Sequence, residues 1–399
     1  MKFTHEHEQL KATTIRINEE HIEPFIDEWE EAQMFPAHKV MKIFGDAGLL
    51  GISKPTEYGG LGLDFSYEMV FTEALGNVRS SGLTSALGVQ SAMCTPALAT
   101  HGSDGLKREY LAPTIAGDLV GCIGVSEEHA GSDVAQIKTR ARSDGDDYVI
   151  SGSKMWITNG VQGDWICLLC NTSDEGAPYK NKSMIIVPLK SKGVSVSRKL
   201  DKLTLRCSDT AELFFDDVRV PKSNRIGEEG MGFIYQMEQF QEERMFVAAR
   251  AIRALELVIE HTVTYTQERQ VFGHSVLSNQ VVYHKLAELQ SEIEALRALT
   301  YRATEKYILG EDVTQLASMA KYISGKLGMK VANECLQYWG GQGVMSENWI
   351  SRAYRDHRQI GIGGGANEIM LEVIAKNMGI HPGRLVRAGR PGGAGKRKN

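Results

Sequence analysis

No stretch of this chain approaches the ~20 consecutive apolar residues needed to cross a bilayer. No excess of basic charge marks it for nucleic acid either, since the formal net charge over 399 residues is −5. The first residues, MKFTHEHEQL, lack both an apolar secretory core and the Arg-rich, acid-poor character of a transit segment, and the chain does not end in a peroxisomal Ser-Lys-Leu. The expectation is a soluble, intracellular protein, cytoplasmic by default, with no integral membrane segment and no nucleic-acid partner. Cysteine is sparse: six residues, of which only Cys167 and Cys170 have C-x-x-C spacing, with no second pair to complete a zinc site. They lie in the apolar run WICLLC, which reads as strand core, so no metal is expected. There is no internal repeat.

What the chain does have is 42% hydrophobic residues, enough for a sizeable core in two or three domains. From Glu6 to about Gly117 apolar residues recur at helical spacing, broken at Pro36 and at the turn Gly59-Gly60-Leu61-Gly62. Between about Leu119 and Gly227 the texture changes to short β-type runs, DYVISG, SMIIVPL, GVSVSR and AELFFDDVRV, separated by turn chemistry. Helical periods return after Gly230, with stripes Ile252, Leu255, Ile259, Val263 and Leu286, Leu289, Ile293, Leu296, the second suited to bundle packing. Periodicity therefore predicts an α+β protein: a helical domain over 1–118, a β domain over 119–227, a helical bundle over 228–383, and a basic, Gly-rich tail over 384–399 read as disordered.

The densest chemistry lies between Gly121 and Gly160, which opens GCIGVSEEHAGSDV and closes SGSKMWITNG. Ser126, Ser132 and Thr158 carry short hydroxyls, and Gly124 and Gly131 let main-chain N–H groups approach a flat polar ring. Trp156 offers a broad apolar face against which such a ring rests. The plain alternative for either half is a Ser/Gly-rich loop followed by an ordinary strand.

VSEEHAGSDV and KMWITNG, followed by QERQVFG, QYWGGQG and GGGANEIM, stand in the order found in acyl-CoA dehydrogenases, and the chain resembles that family over nearly its whole length. The resemblance implies a three-part architecture, two helical domains around a β-barrel-like middle domain, the last a four-helix bundle. It implies FAD as cofactor. Flavin contacts then fall on Ile123, Val125, Ser126, Gly131, Ser132, Trp156, Ile157 and Thr158. Arg269, Phe272 and Gln280 match positions that hold the flavin diphosphate and adenosine of a neighbouring subunit, where a bidentate guanidinium suits a diphosphate. Gln337, Trp339, Gly340, Gly341, Asn367 and Glu368 match further cofactor contacts. A homotetramer is implied, because a monomer lacks the neighbour's residues.

The implied reaction removes the α-proton of an acyl-CoA thioester to a carboxylate base and the β-hydrogen as hydride to the flavin, leaving a trans-2-enoyl thioester. In many members the base is the glutamate of a Tyr-Glu-Gly-Thr motif, but here that stretch reads Gly363-Gly364-Gly365-Ala366 and the glutamate position is Gly364. A subset including the isovaleryl- and long-chain enzymes carries the base on an earlier helix, just before an arginine. By that match the base is Glu243, in Gln241-Glu242-Glu243-Arg244, with Ser132, Gln241, Arg244, Gly364 and Gly365 on the substrate side. Glu242, about 100° round the helix, is the rival and is expected to meet solvent or a salt partner. The plain reading of Glu243 is a helix-surface carboxylate. Gly364 keeps its N–H, the implied donor to the thioester oxygen.

Three departures from the family pattern stand out: Glu128 and His129 in the first flavin motif, and Thr204 where glycine is usual. The run Gly363 to Gly365 is read as removing bulk beside the acyl Cα and Cβ, which favours a medium or long or 3-methyl-branched, citronellyl-like, chain. The expected electron acceptor is an electron-transfer flavoprotein. An acyl-CoA oxidase and a non-catalytic acyl-CoA-binding protein are the alternative functions.

Overall fold

The computed structural model describes residues 1–382, so the expected disordered tail at 384–399 lies outside the described residues. Helices α1 (His5–Ile17), α2 (Ile26–Ala32), α3 (Ala37–Asp46), α4 (Phe65–Leu75), α5 (Ser81–Gly88), α6 (Pro96–His101), α7 (Asp104–Leu106) and α8 (Ala112–Ile115) form the N-terminal part. Local chemistry sets their ends. Pro36 occupies the N-cap of α3, and Asp64 caps α4 by accepting from the Ser66 N–H at 2.8 Å. Gly59 takes φ 91° in the glycine turn. Phe35, Val40, Met41, Phe44, Phe71 and Leu75 close a core between these helices.

The middle part is one mixed sheet of β1 (Gly121–Gly124), β2 (Arg140–Asp144), β3 (Asp147–Thr158), β4 (Trp165–Asn171), β5 (Lys182–Pro188), β6 (Val194–Lys199), β7 (Thr210–Pro221) and β8 (Arg225–Ile226). Its pairing path runs β6-β7-β3-β2-β4-β5-β8, with β1 parallel to β4. Strands β4 and β5 are buried on both faces, which is why their sequences are continuously apolar. Trp165, Cys167, Leu169, Met184 and Ile186 pack toward α6, α8 and the N-terminal helices, while Ile166, Leu168, Cys170, Ile185 and Val187 face β3 and β7. Cys167 and Cys170 thus enter two different cores, as strand alternation requires for residues three apart. Burial pushes both thiols up to about 12.

Helix α9 (Gly232–Glu268) then runs the length of the C-terminal part, followed by strands β9 (Gln270–Val271) and β10 (His274–Ser275), which pair as a hairpin. Helices α10 (Gln280–Ile308), α11 (Thr314–Trp339), α12 (Trp349–Ile360) and α13 (Asn367–Asn377) complete the bundle. Ile252, Leu255 and Ile259 of α9 meet Leu286, Leu289, Ile293 and Leu296 of α10 in one core, so both expected stripes are the packing faces. Each such side chain contributes roughly 1.5–3 kcal/mol on burial. Gly232 begins α9 against β5, where a Cβ would collide with the Ser183–Met184 backbone. No described helix is long and apolar enough to cross a membrane.

Candidate active site

The two halves of the Gly121 to Gly160 stretch form one wall. Strand β3 shifts register between Lys154 and Ile157, and Trp156 within that bulge takes φ 63°, which turns its indole outward to 54% exposure. A tryptophan face left this open beside a backbone irregularity is a platform, not core. The Met155 N–H donates to the Ser126 carbonyl at 3.0 Å and joins the loop after β1 to the bulge. Ser126 and Thr158 are half-buried, while Gly131 and Ser132 are exposed with open space around Gly131. Val125 and Ile157 are buried beneath them, and Ile123 is half-buried in β1. Gly124 has a different role from the one its sequence suggests. A Cβ there would meet Ile166 Cδ1 at 2.6 Å, so the core, and no ligand, demands glycine.

The sequence reading missed the ion pair behind this wall. Lys154 has no solvent exposure, and its ammonium donates to the Val125 carbonyl and to Glu127 Oε1, each at 2.9 Å. Glu127 also accepts from the Thr139 N–H at 2.9 Å and the Lys138 N–H at 2.6 Å. Burial pulls the Glu127 carboxyl up, but the Lys154 charge and these hydrogen bonds outweigh it and hold the group below its ordinary value. The pair clamps the loop to β3. A partial signal was available in the sequence, because Lys154 is the one charge in SGSKMWITNG, although VSEEHAGSDV offers Glu127, Glu128 and Asp133 as partners. Of the departures, Glu128 and His129 are exposed, with His129 Nε2 3.6 Å from Glu127, and neither lines the wall. Near Thr204 the positive φ falls on Leu205, at 54°, whose N–H donates to Asp356 at 2.8 Å, so Thr204 itself needs no glycine.

Glu243 is buried in the middle of α9, 8% exposed. Its carboxylate accepts no hydrogen bond from a described residue, and burial pushes it up to about 7 against the opposing charges of Arg244 and Lys321. It faces the glycine run: a Cβ built on Gly364 would lie 3.1 Å from Glu243 Oε1 and 3.6 Å from Val247. Gly364 and Gly365 take φ 64° and 91° in the loop between α12 and α13. The loop is closed by the Asn367 N–H donating to the Gly361 carbonyl at 3.1 Å. Arg244 is buried, with its guanidinium 3.4 Å from Ser318 Oγ and over the Phe240 ring. Glu242 points elsewhere, accepting from the Tyr307 hydroxyl at 2.7 Å with Lys54 at 3.9 Å. It has the salt partner expected of it.

Each of the three glycines is met by a neighbouring side chain. A Cβ at Gly363 would collide with the Gln359 amide, one at Gly365 would meet Met370 Cε at 2.5 Å, and one at Gly364 would crowd Glu243 Oε1 at 3.1 Å, so Gly364 is the glycine that brings bare backbone against the carboxylate. A concavity of about 460 Å³ beside α9 is lined by Gln241, Glu242, Gln239, Tyr307 and His101. It takes in Gln241 but not Glu243. The cofactor positions expected near a neighbouring subunit lie at the surface: Arg269, Phe272 and Gln280 are exposed, and Phe272 stands fully clear at the tip of the hairpin with φ 50°. Trp339 stacks on Tyr265 at 4.1 Å, and Gln337, Gly340 and Gly341 are exposed beside it. Asn367 Oδ1 is buried without a partner, and Glu368 is exposed.

Family models described as the acyl-CoA dehydrogenase N-terminal, middle and C-terminal domains match residues 4–118, 122–218 and 230–379. The chain belongs to the acyl-CoA dehydrogenase family. Among curated relatives, the mitochondrial long-chain specific acyl-CoA dehydrogenase of Sus scrofa is 37% identical over 94% of this chain and 87% of its own. Among solved structures, a probable acyl-CoA dehydrogenase from Mycobacterium abscessus is 40% identical, covering 94% of this chain and 99% of its own with TM-score 0.90. A chain in a structure titled for the electron transferring flavoprotein of Acidaminococcus fermentans is 31% identical, covering 95% of this chain and 99% of its own with TM-score 0.91. As an acyl-CoA dehydrogenase the protein is an oxidoreductase that uses FAD, with the three-domain fold of the family. Its residues fit that group. The outward indole of Trp156 and the hydroxyls of Ser126, Ser132 and Thr158 offer a flat apolar face with hydrogen-bonding groups around it.

Proposed function

We propose that this enzyme dehydrogenates an acyl-CoA thioester across Cα and Cβ to the trans-2-enoyl product, with Glu243 as the base. The observation that carries this is a buried carboxylate, with no hydrogen bond from a described residue, set against the bare backbone of Gly364. A carboxylate desolvated to a value of about 7 is ionised for half the molecules at neutral pH and is a far stronger base than one in water. Trp156, Thr158, Ser126 and Ser132, together with Asn367 and Glu368, would hold FAD, which would supply the hydride acceptor when bound. The chain's own work is to take the α-proton on a Glu243 oxygen and to meet the charge gathering on the thioester oxygen with the Gly364 N–H. Arg244 and Gln241 flank the acyl-CoA, and the apolar Val247 keeps water from the base.

The absence of a side chain at Gly364, beside Glu243, supports a 3-methyl-branched or a medium or long acyl chain. An electron-transfer flavoprotein is the acceptor. The exposed Arg269, Phe272 and Gln280 serve the cofactor of another subunit, with Gln337, Trp339, Gly340 and Gly341 beside it, in a homotetramer. The test is anaerobic addition of isovaleryl-CoA, octanoyl-CoA and palmitoyl-CoA to the yellow protein. Bleaching of the flavin is expected, fastest with the substrate whose chain fits. Absence of bleaching with all three overturns dehydrogenation, equal rates on straight and branched chains overturn the branch, and hydrogen peroxide formation without added acceptor overturns the acceptor. An active, flavin-loaded monomer in sedimentation overturns the tetramer.

A further inference from the structure

Lys321 of α11 has no solvent exposure, and its ammonium donates to the Gly365 carbonyl. A fully buried ammonium is costly unless partnered, and a methionine would fill the same volume without that cost. The charged groups facing it are Glu243 and Arg244 of α9 and Glu368 of α13. Burial lowers the lysine to about 8, with Glu243 the first influence holding it up. One turn earlier on the same helix, Ser318 meets Arg244 at 3.4 Å. Helix α11 therefore addresses both the residue read as base and the loop read as the oxyanion donor.

That loop needs an external anchor. Gly363, Gly364 and Gly365 bring no side chains of their own, and two of them sit at positive φ, where glycine is free to move among many conformations. The Gly365 carbonyl lies one residue beyond Gly364, so a fixed ammonium on it restricts the peptides on both sides. The same charge favours the ionised form of Glu243 and opposes the effect of burial.

We propose that Lys321 is a positioning residue for this reaction: it pins the glycine loop so that the Gly364 N–H keeps its aim at the thioester oxygen, and it holds a positive charge behind Glu243. The assignment rests on Glu243 being the base. Removing the charge lets the carboxyl rise, so the pH at which flavin reduction is half-maximal moves to the alkaline side, by roughly one unit.

The test uses FAD-loaded Lys321→Met, Lys321→Gln and Lys321→Arg beside the wild type, with octanoyl-CoA and isovaleryl-CoA as probes. Anaerobic flavin reduction is followed across pH, and the absorbance of bound acetoacetyl-CoA enolate is titrated as a second readout that needs no turnover. Expected are an alkaline shift of the reduction midpoint and weaker enolate formation in Lys321→Met, and recovery of the midpoint in Lys321→Arg. If Lys321→Met does not fold, Lys321→Gln, which keeps a donor but no charge, carries the same expectation for the midpoint. A folded, yellow Lys321→Met or Lys321→Gln with the wild-type midpoint and wild-type enolate overturns the proposal. So does an equal loss of rate in all three variants at an unchanged midpoint, which marks a purely structural lysine. Full flavin reduction by Glu243→Gln is a different failure, which removes the base assignment itself.

Discussion

Replacing Glu243 with glutamine tests the cost of keeping a carboxyl away from water. The group stands at about 7 in the folded protein against an ordinary 4.5. At about 1.4 kcal/mol per pH unit, the folded state is disfavoured by roughly 3 kcal/mol once pH exceeds both values. The sign follows from proton counting: between the two values the folded chain binds more protons than the unfolded one, so this group's contribution to stability falls as pH rises. Below about pH 4.5 both states are protonated and the penalty vanishes. Glu243→Gln keeps the shape and removes the charge, so it is expected to stabilise the FAD-loaded protein by roughly 3 kcal/mol at pH 8 and by under about 1 kcal/mol at pH 5. Denaturant midpoints at the two pH values read the difference, and anaerobic acyl-CoA addition to the same variant reads the loss of flavin bleaching. Equal midpoints at pH 8, or a variant that is less stable there, refutes the view that Glu243 is held charged against burial. In the wild type, flavin reduction at low acyl-CoA is expected to rise with pH to a plateau above about 7, the value at which Glu243 gives up its proton.

Glu242→Gln is expected to reduce flavin at near the wild-type rate, because that carboxylate is occupied by Tyr307 and Lys54; stopped-flow bleaching checks it, and a dead variant moves the base by one residue. Lys154→Met strands the buried Glu127 carboxylate and is expected to cost ~3–5 kcal/mol, with FAD content falling in the purified protein; full FAD occupancy at wild-type stability counts against the clamp. Gly364→Ala places a Cβ at φ 64°, 3.1 Å from Glu243 Oε1. It is expected to cost about 1–2 kcal/mol in stability and to slow bleaching, most for branched chains, as a substrate panel measures.

Much of this architecture is legible in the residues because period and burial agree. The α10 stripe Leu286, Leu289, Ile293, Leu296 and the continuous run WICLLC each have one packing solution, and both adopt it. The wall around Trp156 is legible only through the motif, since nothing local announces that a bulge at Met155 and Trp156 turns an indole outward. Glycine is where residue-by-residue reading fails. Gly124, Gly363, Gly364 and Gly365 look like room for a ligand, yet a Cβ at each would meet Ile166, Gln359, Glu243 and Met370 in turn. What surrounds a missing side chain is set by residues distant in sequence, and so are the partners of Lys154 and Lys321.

Glu243 rides on a helix packed along both flanks, while Gly364 belongs to a short connector between α12 and α13. On the proposed reading, the proton acceptor and the oxyanion donor therefore sit on separate pieces of chain. Substitutions in the connector act on the donor and on the acyl side together while leaving the acceptor on its helix, whereas an enzyme that carries its acid in the connector changes all of them at once.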